Sequence, residues 1–340
     1  MSRTEYQILR LLATGPKDFW QLISKQDTSI KEFAQELKNL CRRGVIKKEN
    51  GLFELNREKI DRKINKYFES CCRVCGDGID FTRDFKTLLN NFEKAVEKRP
   101  LPREEYDQGF MRIEDTVKRA IFMYERADVE KKNIFILGDD DLLSLAIGLM
   151  GFANLVTVAE VDERIVDFIR KRAKDLGISS IRTVNYNALN ELPFNLCGQY
   201  DTFVTDPVET LPGLKIFIAR CMKSLKGAGS SGYFGLTHLE ASLKKWWEIE
   251  KFLLNCSFVI TDILRDFSLY PEDENRWEKF YQSYRLIKEI PDVGLPGVDW
   301  YRSSFFRIEA VNEINFLQLP LLSFSEELYL DDETWATPHS

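Results

Sequence analysis

The chain has 340 residues and a formal net charge of −6, with 44% hydrophobic and 30% charged residues. That length suits two domains and buries enough surface to fold without disulfide staples. The acidic balance argues against a generic phosphate-binding surface, and no run of about 18 apolar residues marks a membrane-spanning helix. The opening MSRTEYQILRLLATGPKDFW lacks the apolar core and cleavage site of a signal peptide. Seven scattered cysteines read as reduced thiols, so a cytoplasmic location is expected.

Tyr6, Ile8, Leu9 and Leu12 recur at helical spacing until Gly15-Pro16 breaks the pattern. Phe19 to Ser24 predicts a second short helix. A third follows, with Ser29 and Glu32 in a capping-box arrangement and Phe33, Leu37 and Leu40 on one face up to Gly44. VIKKENGLFELN then predicts a hairpin turning at Asn50-Gly51. Three helices and a hairpin over 1–57 resemble a winged helix. Lys38, Arg42, Arg43, Lys47 and Lys48 are placed to meet phosphates in that superfamily. The alternative is a structural or dimerisation module with solvated charges, and nucleic acid is not the expected partner.

Residues 58–112 predict a charged linker. Within it, Cys72-x-x-Cys75 ahead of Gly76 and Gly78 has the form of half a zinc site. The remaining cysteines are dispersed and the chain has only two histidines, so a glycine-rich turn with thiols is preferred and no metal is expected. Tyr106 to Met111 predicts a turn ahead of a helix from Ile113 to Arg126. Asp107 and Gln108 in this turn are candidates to fold over a substrate.

From residue 133 strands and helices alternate, which predicts an α/β domain with a parallel sheet over 113–325. Ligands in such sheets bind beyond the carboxyl ends of the strands. The residues there are Gly138-Asp139-Asp140-Asp141, Glu160 and Asp162, Asn187-Ala188, and Asp206. Glu160 ends the second strand, where a carboxylate takes ribose hydroxyls, and Asn187 can pair with an adenine edge. No G-x-G-x-x-G or P-loop lysine follows the first strand, which disfavours a dinucleotide or nucleoside triphosphate. Helix capping accounts for one or two of the three consecutive aspartates. A third suits a cationic ligand, such as a sulfonium or a polyamine.

The order of these signals resembles Rossmann-like methyltransferases. With YDQGFM at 106–111, ILGDDDLLSLA at 136–146, VAEVDERI at 158–165, VTDPVET at 204–210, LTHLEAS at 236–242 and LYLDDETW at 328–335, the chain resembles the branched-chain polyamine synthases. The resemblance implies a Rossmann-like catalytic domain behind a winged helix. It also implies aminopropyl transfer from decarboxylated S-adenosylmethionine, as co-substrate, to the central amine of spermidine. The family's Gly-Asp-Asp-Asp motif falls on Gly138 to Asp141, which implies that Asp141 handles the attacking amine. Two departures stand out: Asn185-Tyr186-Asn187 where the family tends to have an aspartate, and Asp206-Pro207-Val208 in place of Asp-Pro-Pro.

Such a reaction must free the lone pair of an amine whose pKa is about 10, and a positioned carboxylate can do this. Asp141 and Asp206 are the candidates. Two cations must also share one cavity, and Asp139, Asp140, Asp162, Glu209 and Glu240 would offset their repulsion. His238 either lines the amine channel or hydrogen-bonds at the sheet edge. The acidic tail, 326–340, is either solvated or closes over a cationic substrate. A two-fold dimer is the expected assembly. Rival readings are a methyltransferase acting on a base or protein, and a metabolite-sensing regulator.

Overall fold

The computed structural model describes residues 2–23, 30–60, 83–238, 240–271, 301–319, 328–331 and 334. The Ser29 cap, the Cys72–Gly78 turn and most of the acidic tail lie outside the described residues. Two compact units are present, one formed by 1–82 with 121–128, the other by 83–120 with 129–340.

In the first unit, α1 (Arg3–Leu12) is capped by Ser2, whose Oγ accepts the Glu5 N–H at 3.0 Å. It is followed by α2 (Phe19–Ile23), α3 (Ile30–Arg42) and the hairpin β1 (Ile46–Glu49) and β2 (Leu52–Leu55). Asn50 and Gly51 both have positive φ, +48° and +82°, as a two-residue turn matched to strand twist requires. Lys17 and Phe53 exchange both backbone hydrogen bonds, adding a third strand position beside the hairpin. Ile8, Leu12, Phe33, Leu40, Ile46 and Phe53 form the core. Of the five basic residues predicted to face phosphates, Arg43 is paired with Glu5 and Lys48 lies over the Phe53 ring.

The second unit is built on a seven-stranded sheet. Strands β3 (Asn133–Leu137), β4 (Leu155–Glu160), β5 (Ile181–Asn185), β6 (Thr202–Thr205) and β7 (Ser231–Leu236) are parallel, whereas β8 (Phe258–Tyr270) and β9 (Tyr301–Ala310) are antiparallel. The order across the sheet is β5-β4-β3-β6-β7-β9-β8. The expectation of a parallel sheet therefore holds for five strands, and the sheet as a whole is mixed. Its added edge is sealed by aromatic pairs, with Phe234 stacked on Phe306 at 4.8 Å and Tyr233 on Phe305 at 5.3 Å.

The helices of this unit are α4 (Arg83–Ala95), α5 (Ile113–Glu125), α6 (Leu143–Met150), α7 (Glu163–Asp175), α8 (Leu211–Ser224) and α9 (Leu243–Asn255). The last turn of α5 falls in the first unit. Residues 83–112, predicted as part of a linker, belong to the second unit, where the Arg112 N–H donates to Leu269 O at 2.8 Å. In α9, Trp246 is buried and meets Phe306 edge to face, in keeping with a packing stripe. No helix among the described residues is long and apolar enough to cross a membrane.

A central strand fits its neighbours only where side chains are absent. A Cβ at Gly232 would lie 2.2 Å from the Phe203 ring. Gly232→Ala should lower unfolding stability by about 1–3 kcal/mol, the usual range for overpacking, as measured by denaturant titration.

Candidate active site

Four strand ends meet in one row. Register pairs Leu137 with Ala159 and with Thr205, and Thr205 with Phe234. The next residues, Gly138, Glu160, Asp206 and Gly235, therefore lie side by side at the carboxyl edge. Strand order reverses between β3 and β6, which opens a crevice there. Met111, Arg119, Gly138, Asp140, Asp141 and Asp206 line it.

Gly138 turns the chain at φ +76°, and Leu142 adopts the left-handed region again at +58°. Glu160 fastens this turn. Its Oε2 accepts the Asp139 N–H at 2.9 Å and its Oε1 the Asp162 N–H at 2.8 Å. Both carboxylate oxygens of Asp139 accept the Ser144 N–H at 3.3 Å, so this aspartate serves the first turn of α6. Asp140 and Asp141 bind a different segment. Asp140 Oδ2 accepts the Gly109 N–H at 3.1 Å, and Asp141 Oδ1 the Met111 N–H at 2.7 Å. The 106–111 loop is thereby held against the aspartate turn.

Asp206 is paired with Arg119 of α5, whose Nη1 donates to Asp206 Oδ2. Arg119 is 1% exposed, with Nε on Ser268 Oγ at 2.9 Å and Nη2 on Ser303 Oγ at 3.2 Å. Burial alone would weaken its hold on the proton, but Asp206, Tyr270 and Asp141 outweigh burial and keep it charged. The other Asp206 oxygen, Oδ1, is buried with no hydrogen-bond partner among the described residues. It occupies the space left by the missing side chain of Gly235, where a Cβ would approach to 2.0 Å.

Asp139, Asp140, Asp141 and Glu160 are held away from their ordinary ionisation. Burial, then the neighbouring Asp206, lifts Asp141 to about 7, with Arg119, the Met111 N–H and Arg99 partly offsetting the rise. Burial followed by Asp141, Glu160 and Asp206 pushes Asp140 well up. Burial also raises Asp139 and Glu160.

A second acidic group lies along the loops after β6 and β7. Both Glu209 oxygens accept the Thr237 N–H, at 2.9 and 3.1 Å. Glu240 is buried and hydrogen-bonded to Tyr301. Burial and then Glu240 push Glu209 well up, while burial and then Asp107 lift Glu240 to about 8. Asp107 stands at the exposed rim with φ +54°, and protein crowded around its carboxyl lifts it to about 7.

These two carboxylate groups sit on a framework that known proteins share. A family model described as the C-terminal domain of branched-chain polyamine synthase A matches residues 87–336. The chain belongs to the branched-chain polyamine synthase family. It is 35% identical over 327 residues to the N(4)-bis(aminopropyl)spermidine synthase of Methanocaldococcus jannaschii, covering 94% of this chain and 91% of the other. The protein of that name from Thermococcus kodakarensis is 33% identical over 326 residues, covering 94% and 91%. A mutein of the branched-chain polyamine synthase from Thermus thermophilus, crystallised with N4-aminopropylspermidine and 5'-methylthioadenosine, aligns with a TM-score of 0.71. It is 31% identical, over 98% of this chain and 93% of that one.

Other family-motif positions take more local roles. Asp162 caps α7 through the Arg164 N–H at 2.9 Å, pairs with the Arg164 guanidinium and receives Gln108 Nε2 at 3.2 Å. Burial would raise its carboxyl, but the hydrogen bonds from Arg164 and Gln108 prevail and hold it low. Its carboxylate thus has a cationic partner within the protein. Asn187 Oδ1 accepts the Leu189 N–H at 2.9 Å, and Ala188 O accepts Arg220 Nε at 3.1 Å. His238 is exposed, with its Nδ1 3.3 Å from Asp266 of β8. In the tail, Asp331 is not a solvated acid but is paired with Lys245 at 2.8 Å.

Arg119, Gly235, Tyr301 and Lys245 were not among the residues singled out from the sequence. The available signal for Arg119 was its place on the buried stripe of α5 with Thr116 and Ala120. Gly235 carried no local signal, because its neighbours across the sheet come from distant segments.

Two outcomes follow from this geometry. Gly235→Ala should displace Asp206 and lower turnover by ~10²-fold, the penalty for a misplacement of this size, while circular dichroism remains native. Asp141 and Glu240 have folded-state values near 7 and 8, above their unfolded values of 3.8 and 4.5. Their contribution to stability is therefore complete below about pH 4 and is lost as pH rises through 7 to 8. Chemical denaturation across that range should show the fall, and Asp141→Asn should flatten it.

Proposed function

We propose that this chain transfers the aminopropyl group of decarboxylated S-adenosylmethionine to the central secondary amine of spermidine. The products would be N4-aminopropylspermidine, then N4-bis(aminopropyl)spermidine, with methylthioadenosine released at each step. The observation that carries this reading is the excess of buried carboxylates over cations at the strand ends among the described residues. Such a site is suited to a polycation meeting a sulfonium, and poorly suited to a neutral or anionic acceptor.

In this reading the nucleoside lies over β3 to β5. Glu160 accepts backbone N–H groups of Asp139, Val161 and Asp162, and its remaining acceptor capacity is assigned to a ribose hydroxyl. Gly138 keeps the first turn open beside them, and Asp139 and Asp162 set the α6 and α7 termini on either side. The Asn187 amide, next to Ala188, is positioned for the adenine edge. Spermidine lies towards the 106–111 loop, its primary ammoniums meeting Asp107, Glu209 and Glu240. Gln108 ties that loop to Asp162. His238 stands outside this proposal.

Asp141 takes the proton of the attacked nitrogen. Its raised affinity for protons suits a base working near neutral pH. The freed lone pair forms a bond to the propyl carbon attached to sulfur. The C–S bond breaks with its electrons passing to sulfur, and a neutral thioether leaves without acid assistance. Asp206, with Arg119 on its Oδ2, is assigned to holding the ammonium and the sulfonium in line through Oδ1.

Mass spectrometry of products tests the reaction. With spermidine and the decarboxylated donor, one and two aminopropyl additions are expected, and none with intact S-adenosylmethionine. Methyl addition from the intact donor, or no addition from either, would overturn the assignment. Asp141→Asn should lower kcat by ~10²–10⁴-fold, the usual contribution of a general base, without loss of thermal stability.

A further inference from the structure

Lys245 lies in the first turn of α9 and is 5% exposed. Its Nζ donates to Glu240 O at 2.8 Å, Glu209 O at 3.0 Å, Thr334 Oγ1 at 2.6 Å and the Asp331 carboxylate at 2.8 Å. A primary ammonium has three protons, so these acceptors replace its hydration shell completely. Two of them are the main-chain oxygens of the residues whose side chains form the outer acidic group. The same ammonium also fixes the C-terminal segment. Thr334 Oγ1 reaches both of those carbonyls, at 3.1 and 2.8 Å. Asp331 Oδ2 accepts the Leu211 N–H at 2.9 Å, and Thr210 Oγ1 donates to Leu328 O at 2.5 Å.

We infer that Lys245 is a positioning residue for the polyamine, fixing the spacing of the Glu209 and Glu240 carboxylates by holding both main chains and the C-terminal segment at one point. The role rests on the aminopropyl-transfer reading of this site. Lys245 touches none of Gly138, Asp141, Glu160 or Asp206 through any of these bonds, so its effect falls on the acceptor rather than on the nucleoside. It also opposes the crowding of like charges. Glu209 faces Glu240, Asp107 and Lys245, and Glu240 faces Asp107, Lys245, Asp331 and Tyr301. Within each set Lys245 is the cation, so removing it favours the neutral form of both acids.

Lys245→Met keeps chain length and removes the charge. The KM for spermidine should rise at least tenfold while that for the decarboxylated donor moves less than twofold. The acid limb of kcat/KM for spermidine should shift to higher pH, so that raising the pH restores part of the loss. A purely structural role would weaken both substrates alike at every pH, and that result, or an unchanged spermidine KM, would overturn the inference. Thr334→Val removes a neutral tie to the same two carbonyls, and should raise the spermidine KM about threefold with the limb in place. If Lys245→Met does not fold, an unchanged KM in Thr334→Val overturns the inference. Calorimetric binding of spermidine separates the two readings. A wild-type protein that binds spermidine without forming product would contradict the transfer reaction alone. Equal spermidine affinity in wild type and Lys245→Met would contradict the role of Lys245 alone.

Discussion

Burying several carboxylates where few cations reach them is the constraint on which this site depends. An ionised carboxylate out of water is strongly disfavoured unless a cation or several donors compensate it. Among the described residues, Arg164 compensates Asp162, Arg119 compensates Asp206, and Lys245 compensates Asp331. Among the described residues, Asp140, Asp141, Glu209 and Glu240 receive backbone N–H or tyrosine hydrogen bonds but no such ion pair, and burial followed by like-charged neighbours raises their proton affinities. A ligand carrying several ammoniums would complete the missing half of this charge arrangement.

The fold makes this crowding possible by dividing the acids among different supports. The switch in strand order places the β3 and β6 loops side by side, so Asp141 and Asp206 share one crevice. Glu160 and Asp139 are committed to the turn and to α6, giving the rigid floor. Gly235 supplies the volume into which Asp206 Oδ1 fits. Ser268 and Ser303, from the two antiparallel strands, orient Arg119 beneath that carboxylate. The antiparallel edge is therefore part of the site as well as of the sheet.

Local chemistry was readable from the sequence where one segment carried the whole signal. The Asn50-Gly51 turn, the alternation of strands and helices that builds the parallel sheet, and the acids at the strand ends were all evident from spacing and residue type. The suggestion that capping would claim part of the Asp139–Asp141 run is met by Asp139, which binds the start of α6. What was not readable depended on distant contacts. β9 is buried over six consecutive residues and β8 mainly near its two ends, a pattern set by neighbours far along the chain. Nothing in the position of Asp162 reveals that Arg164 folds back onto it. Residues 83–112 read as a linker from their charge, yet Gly109 and Met111 bind two of the aspartates through backbone N–H groups that no side-chain pattern encodes.

Counting protons during spermidine binding tests the charge balance most directly. Spermidine would be titrated into the protein at pH 7 in two buffers of different ionisation enthalpy. A cation that completes an undercompensated acidic site must drive the raised carboxyls to ionise, so net proton release is expected, with affinity increasing from pH 6 to 8. The release should diminish in Asp141→Asn. Binding with no proton exchange, or with proton uptake, would contradict the view that these acids are held for a polycation.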